Sequence, residues 1–556
     1  MAMMPQRQPL MGETSAPFVA LHYDLSYSVD PAARLFASEQ TVTLRNESAA
    51  PAASVAFLLH AGLCIDALAL SRPGQALPLS LQARTRPAAY RQRSYQLVTL
   101  TLSEPCDPGC ELHLWLRYHL DPALVTRGEA GKLDALTVDT AACYAVDAAA
   151  AHFPLLALGD VAALAAPYSL RISYPDGSLS CVPGALVASS TDGVQCQDSY
   201  ESPNPNLPAF SCAPYERVAD ERDGLLVELF HYGGQEHLRP LLTTGLDLAA
   251  LYHRTLGDHG VRAFQLATVG TLNDRRAWAE CRGSAIYLTD AGLARLETDL
   301  LVRQRAAAML AHELFHGWNL FSAPVDGPMS LWVSEGLANW AAAWALEQLY
   351  GPAAGAACRR HYAEAYVLHQ GHQADSGLGY LHTDFERPPN WHLVYNGGAL
   401  VWEQLCQKLQ PWRFVKGLQR FFRDHARAMS SAADLFDALQ RRQPVELGPY
   451  LEPWLETPPD IALSIAAVER HSDDDGHTTH VCLSVDGNTD LELHTELGWR
   501  LAPDAPLETK PVVLTQRGLR CLTINSPEPP VQVLVDPMHR LPLRSLDALV
   551  WQANHV

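Results

Sequence analysis

The sequence predicts a multidomain α+β chain that is β at both ends and helical between them. Three observations carry this. The chain has 556 residues, and single cores stop growing near ~250–300 residues, which implies about two to four domains. Apolar residues recur with period two before about residue 222 and again after 460. Between these stretches, from about Asp247, the period moves towards 3.6, the repeat of an amphipathic helix. The expected organisation is an N-terminal tail over 1–18, a β-sandwich over 19–222, a mainly helical domain over 223–459 and a small β domain over 460–556.

In the first β region Leu21, Tyr23, Leu25, Tyr27 and Val29 alternate with His22, Asp24, Ser26 and Ser28. Such alternation marks a strand with one buried face. The pattern returns at Val42–Leu44, at Leu112–Leu120 and at Tyr168–Tyr174, with turn residues such as Pro108-Gly109 and Pro175-Asp176-Gly177 between runs. A Pro-, Asn- and Ser-rich edge over 202–214 precedes a further strand at 225–232. Helices are expected over 247–256, 300–319, 329–349, 355–370, 398–409, 412–427 and 432–441. Strands resume at 461–468, 480–485, 511–514 and 531–535.

Composition excludes several classes of function. The net charge is −20, and no Lys/Arg run relieves it, so a phosphate backbone is not a partner. No stretch approaches ~20 uncharged apolar residues, so no membrane span is expected. Met1–Pro17 lacks a basic start followed by an apolar run, and a cytoplasmic location is expected. The 12 cysteines show no repeated zinc-ribbon spacing. They read as mostly buried thiols, in keeping with a reducing compartment. There is no Gly-x-Ser-x-Gly elbow and no phosphate-binding loop.

The chemistry gathers at His312-Glu313-Leu314-Phe315-His316, which closes an apolar helical run. Residues i and i+4 share one helix face, so both imidazoles can reach one zinc ion. Glu313, beside the first histidine, is placed to take a proton from a water attacking a carbonyl. The motif alone is a hypothesis. A third ligand strengthens it: Glu335 comes after His316 with 18 residues between them. The intervening 323–328 contains Pro324, Asp326, Gly327 and Pro328 and must be a loop. A second helix then starts near Met329, with Asp326 or Ser330 able to cap it. Packed antiparallel, it turns Glu335 towards the histidines. Two His, one Glu and an open position make the catalytic arrangement of zinc, one ion per chain. Asn339, one turn beyond Glu335, is a candidate hydrogen-bond partner for a ligand.

The run from His312 to Asn319, with Leu331-Trp332-Val333-Ser334-Glu335-Gly336 after it, resembles the glycyl aminopeptidase family of gluzincin zinc peptidases, a relative of the aminopeptidase N family. Its Phe-His-x-Trp-Asn portion favours the former. The resemblance implies a thermolysin-like catalytic domain behind a β domain, peptide substrates and a zinc aminopeptidase activity. Tyr395-Asn396-Gly397-Gly398 resembles the family's Tyr-x-Lys-Gly segment, which implies that Tyr395 hydrogen-bonds the oxyanion. Ala279-Glu280-Cys281-Arg282-Gly283-Ser284 precedes the strand 285–288 and resembles the segment whose glutamate binds the substrate's free amine. That role passes to Glu280.

Three features depart from the family. Gly397 stands where it has lysine, and Cys281 where it has histidine. Residues 460–556 show no PDZ-type carboxylate-binding loop. A preference for glycine is therefore not implied. An endopeptidase with the same site, and a binding protein that retains the metal, are the rival readings.

Overall fold

The computed structural model describes residues 18–75, 78–90, 93–121, 136–138, 140–146, 150–156, 165–270, 279–289, 293, 300–327, 329–369, 391–441, 446–456, 460–473, 476–487, 491–515, 517–547 and 549–553. They group into two compact units. The first holds the described residues up to Ala249 with those of His259–Ala306 and Leu320–Ser322. The second holds Ala250–Asp258, Ala307–Asn319 and the described residues from Ala323 onward.

The first unit is β-rich. A seven-stranded sheet runs Ala185–Thr191, Gln195–Asn206, Ala166–Pro175, Phe18–Asp30, Leu35–Asn46, Glu111–Leu120, Leu63–Ser71. Tyr23, Leu25, Tyr27 and Val29 are buried, as their alternation predicts. Leu21 is only half-buried, because the register with the next strand shifts between Ala20 and His22. A bulge inserts one residue and breaks the inward–outward frame. A three-stranded sheet pairs Arg93–Cys106 with Ala52–His60 and Leu81–Tyr90. A four-stranded sheet contains Phe210–Ala213.

A further five-stranded sheet runs Glu216–Arg222, Leu225–His231, Ala263–Val269, Ala285–Thr289, Ala279–Arg282. Its central pairs are parallel. The strand Ala263–Val269 is buried from Phe264 onward and Ala285–Thr289 throughout. Parallel strands covered on both faces read as continuous apolar runs, which is why alternation does not reveal the first of them. Ala279–Arg282 is itself a strand, so Glu280 is not on a loop.

Eight α-helices are described: α1 Pro240–Leu256, α2 Leu300–His316, α3 Leu337–Tyr350, α4 Pro352–His369, α5 Gly398–Leu409, α6 Pro411–Asp424, α7 Ala432–Gln440 and α8 Leu447–Glu456. The last escapes a sequence reading because Gly448, Pro449 and Pro453 interrupt its pattern. The expected helices 300–319 and 329–349 are corrected in detail. α2 ends at His316 and continues as a π turn, Gly317–Ser322. α3 is entered through another, Trp332–Gly336, with no side-chain cap at its start. The Asp326 carboxylate instead accepts a bond from the Gly327 amide at 2.6 Å. Val325–Asp326 pairs as a short strand with Ser430–Ser431. A third π turn, Leu393–Gly397, leads into α5.

The C-terminal part of the second unit is two sheets. Ile461–Asp473, Gly476–Gly487 and Gly518–Ser526 form one; Glu508–Leu514, Leu493–Arg500, Gln532–Val535 and Val550–Gln552 form the other. Cys482 and Cys521, directly opposite on neighbouring strands, are joined as a disulfide, so not every cysteine is a thiol. These sheets are tied to the helices. Gln404 of α5 donates to the carbonyls of His494 and Arg540, each at 2.9 Å. Arg359 of α4 donates to the Met538 carbonyl at 2.9 Å. No helix among the described residues is long and apolar enough to cross a membrane.

Candidate metal centre

α2 carries His312 and His316 one turn apart, and the π turn before α3 carries Glu335. Tyr252 of α1 holds the two helices together behind the site. Its hydroxyl reaches the carbonyls of Ala311 at 3.0 Å and Ala341 at 3.2 Å. A π turn adds a residue to a helical turn and rotates the residues downstream of it. Trp332–Gly336 delivers Glu335 so that its Oε2 lies 3.3 Å from His312 Nε2 and 3.5 Å from His316 Nε2. The two Nε2 atoms are 3.1 Å apart. Ligands ~2.0–2.1 Å from a tetrahedral ion are separated by ~3.3 Å, so this triangle has the edge of a zinc site.

The hydrogen bonds behind the imidazoles fix which nitrogen bears the lone pair. Asn319 Nδ2 donates to the carbonyls of Val333 at 3.0 Å and Ser334 at 2.7 Å. Its Oδ1 is thereby turned to His316 Nδ1, at 3.2 Å. Asn339 Nδ2 donates to the Tyr395 carbonyl at 2.9 Å, and its Oδ1 faces His312 Nδ1 at 2.8 Å. Each amide oxygen can only accept, so each Nδ1 is the donor. Both Nε2 atoms then present lone pairs towards each other and towards a carboxylate oxygen. Three such acceptors facing one another form a set that a divalent cation can bridge. Burial pushes the Glu335 carboxyl up, but the charge and hydrogen bonds of His316 and His312 outweigh it and hold the carboxyl well below the usual range. The donor set of two imidazoles and one carboxylate fits zinc with one position left open.

Spacing makes Asn339 a candidate and leaves Asn319 unmarked. A signal for Asn319 exists all the same: it stands three residues after His316, on the same helical face, within the run that carries the family resemblance.

Glu313 is buried beside His312. The Tyr395 ring stacks on that of His312, with centroids 5.8 Å apart and planes 16° apart. Trp332 opens the π turn that carries Glu335 and reaches the residue after the π turn that carries Tyr395. It stacks on Trp402 at 4.3 Å and donates to the Gly398 carbonyl at 3.1 Å. A side chain at Gly336 would meet Trp332 Cδ1 at 2.8 Å, and one at Gly397 would meet the Tyr366 ring at 2.8 Å. The absence of lysine at 397 thus has a packing counterpart: the ring of Tyr366 occupies that space. Glu280 belongs to the first unit. Its carboxylate is paired with the Arg282 guanidinium, and its side chain is one-third exposed.

This donor set, with a glutamate beside the first histidine, is the one expected of a gluzincin-type metal centre. Residues 283–454 match the family model described as the Peptidase family M1 domain. The chain is similar to an aminopeptidase N of Lactococcus lactis subsp. lactis, 24% identical over 30% of this chain and 20% of the relative. It is also similar to an aminopeptidase N of Streptomyces lividans, 26% identical over 57% of this chain and 38% of the relative. The matched stretches thus span well under half the length of these relatives. The family model and these relatives agree with the aminopeptidase N side of the resemblance.

Proposed function

We propose that this protein is a zinc aminopeptidase that removes N-terminal residues from peptides. One zinc ion would be held by His312, His316 and Glu335 within a thermolysin-like domain lying in 223–459. The observation that carries this reading is the pair of imidazole lone pairs converging with a carboxylate oxygen at tetrahedral spacing. When bound, zinc supplies Lewis acidity to the scissile carbonyl and lowers the pKa of water. Asn319 and Asn339 keep both Nε2 atoms turned to the ion. Glu313 takes the proton of the attacking water and passes it to the leaving amine. Tyr395 donates its phenolic hydrogen bond to the developing oxyanion, worth about 3 kcal/mol in a dry site.

Glu280 is assigned the peptide's free amine. Its existing pair with Arg282 means that an incoming ammonium has to share that carboxylate. The same pair favours the endopeptidase as the second reading, because a carboxylate already neutralised anchors an amine poorly.

The test compares the zinc-loaded protein with Glu313→Gln at matched metal content, on peptides that are free or N-acetylated. Cleavage of free peptides alone, reduced about 10²- to 10⁴-fold in the variant, is the expected result. Cleavage of acetylated peptides at the same rate selects the endopeptidase. Zinc bound with no cleavage of either series would falsify the peptidase reading.

A further inference from the structure

Trp391 stands one helical turn before Tyr395 and is 40% exposed. Its ring centroid lies 6.0 Å from that of Tyr395, which also stacks on the ring of His312. The three aromatic rings therefore form a chain from a metal ligand, through the candidate oxyanion donor, to an exposed indole. Tryptophan is among the most buried residues on average, and an indole left partly exposed beside a reactive centre offers a flat apolar face to a ligand. The element that bears it is anchored. His392, its neighbour, stacks on His369 of α4 with centroids 3.5 Å apart and planes 9° apart. Asn396 Nδ2 reaches His392 Nδ1 at 3.3 Å. Gly397, backed by Tyr366, contributes no charged side chain here. The surroundings of Tyr395 on this side are aromatic, without a lysine or a carboxylate at the positions of the turn itself.

We infer that Trp391 is a specificity-determining residue that receives an aromatic or large aliphatic side chain adjacent to the scissile bond. This rests on the peptidase reading for its reaction, but its recognition step can be measured without turnover. The indole face rewards apolar contact area, and the turn Leu393–Gly397 beside it carries no carboxylate, whereas a basic side chain needs an acceptor for its charge.

The experiment measures equilibrium binding of a peptide pair differing only in Phe or Ala at that position. It uses zinc-loaded Glu313→Gln protein, with and without Trp391→Ala, and Trp391→Phe as the conservative control. The Phe/Ala affinity ratio should fall about tenfold with Trp391→Ala and be largely kept with Trp391→Phe. The same ratio in kcat/KM of the Trp391 variants with Glu313 intact should move in parallel. An unchanged ratio overturns the inference, and so does a loss confined to an Arg peptide, which would make the face a cation site. A native protein that cleaves nothing while the binding ratio still depends on Trp391 sinks the peptidase reading and upholds the indole as the recognition face.

Discussion

Two clusters of buried polar side chains lie in the second unit and meet on successive residues of α3. Asn339 serves the metal centre. Trp340 donates to Glu403 at 2.9 Å, and Glu403 belongs to the other cluster. There Arg540 pairs with Glu403 and, at 3.3 Å, with Glu496. Arg359 pairs with Glu347 at 2.7 Å. In that cluster the chain supplies its own cations. Around His312, His316 and Glu335 it supplies imidazole nitrogens and a carboxylate, a group that could hold a cation from outside the chain. Both are buried and hydrogen-bonded. A fastening differs from a binding site in whether the charge balance closes within the chain.

Breaking the closed cluster should have the largest effect. Arg540→Ala leaves Glu403 buried without its main partner, which costs about 3–5 kcal/mol. A denaturant titration of the metal-free protein reads this. Replacing both partners by apolar residues, Arg540→Met with Glu403→Leu, should recover most of the loss. A single substitution that costs nothing would mean that the pair is not closed in solution.

Opening the metal centre comes next. Glu335→Ala should lower zinc affinity more than about 100-fold, beyond the range for residues that only orient ligands. Competition with a chelator measures it. Zinc affinity that is unchanged removes Glu335 from the ligand set.

The closed cluster also carries a pH signature. Burial raises the Asp536 carboxyl from its ordinary 3.8 to about 6, against the hydrogen bonds it accepts from Arg540, Thr495 and Leu541. The folded protein then keeps a proton that the unfolded chain has released between pH 3.8 and about 6. Stability from this group therefore falls as pH rises through that window, by up to about 3 kcal/mol. Asp536→Asn should flatten that slope in denaturation curves run across the window. A slope that persists in the variant assigns it to other groups.

The smallest effects belong to the residues that aim the ligands. Asn339→Ala and Asn319→Ala should each reduce zinc affinity about 10- to 100-fold, with the fold intact. Loss of affinity without loss of thermal stability in the metal-free protein distinguishes aiming from packing.

Much of the architecture is set by near neighbours. Alternation along Tyr23–Val29 and Leu112–Leu120 is a property of consecutive residues, and it forecasts which faces are buried. The i, i+4 histidines likewise need only a helix, and the spacing to Glu335 needs only a loop and a second one. The buried parallel strand Ala263–Val269 and the proline-broken α8 stay hidden, because neither keeps a period. Nothing local places Glu335 through a π turn or bulges the first strand at Leu21.

By itself, then, the sequence determined the β–α–β succession and the three candidate ligands, since backbone periodicity encodes them within a few turns. The tertiary structure alone decided the rest. Asn319 turned its oxygen to His316 because its amide was claimed by two carbonyls of another turn. Arg540 found Glu403 across 137 residues. Tyr366 filled the space where a side chain at 397 would stand. A buried polar group must find a partner wherever packing brings one, and spacing along the chain does not say where that is.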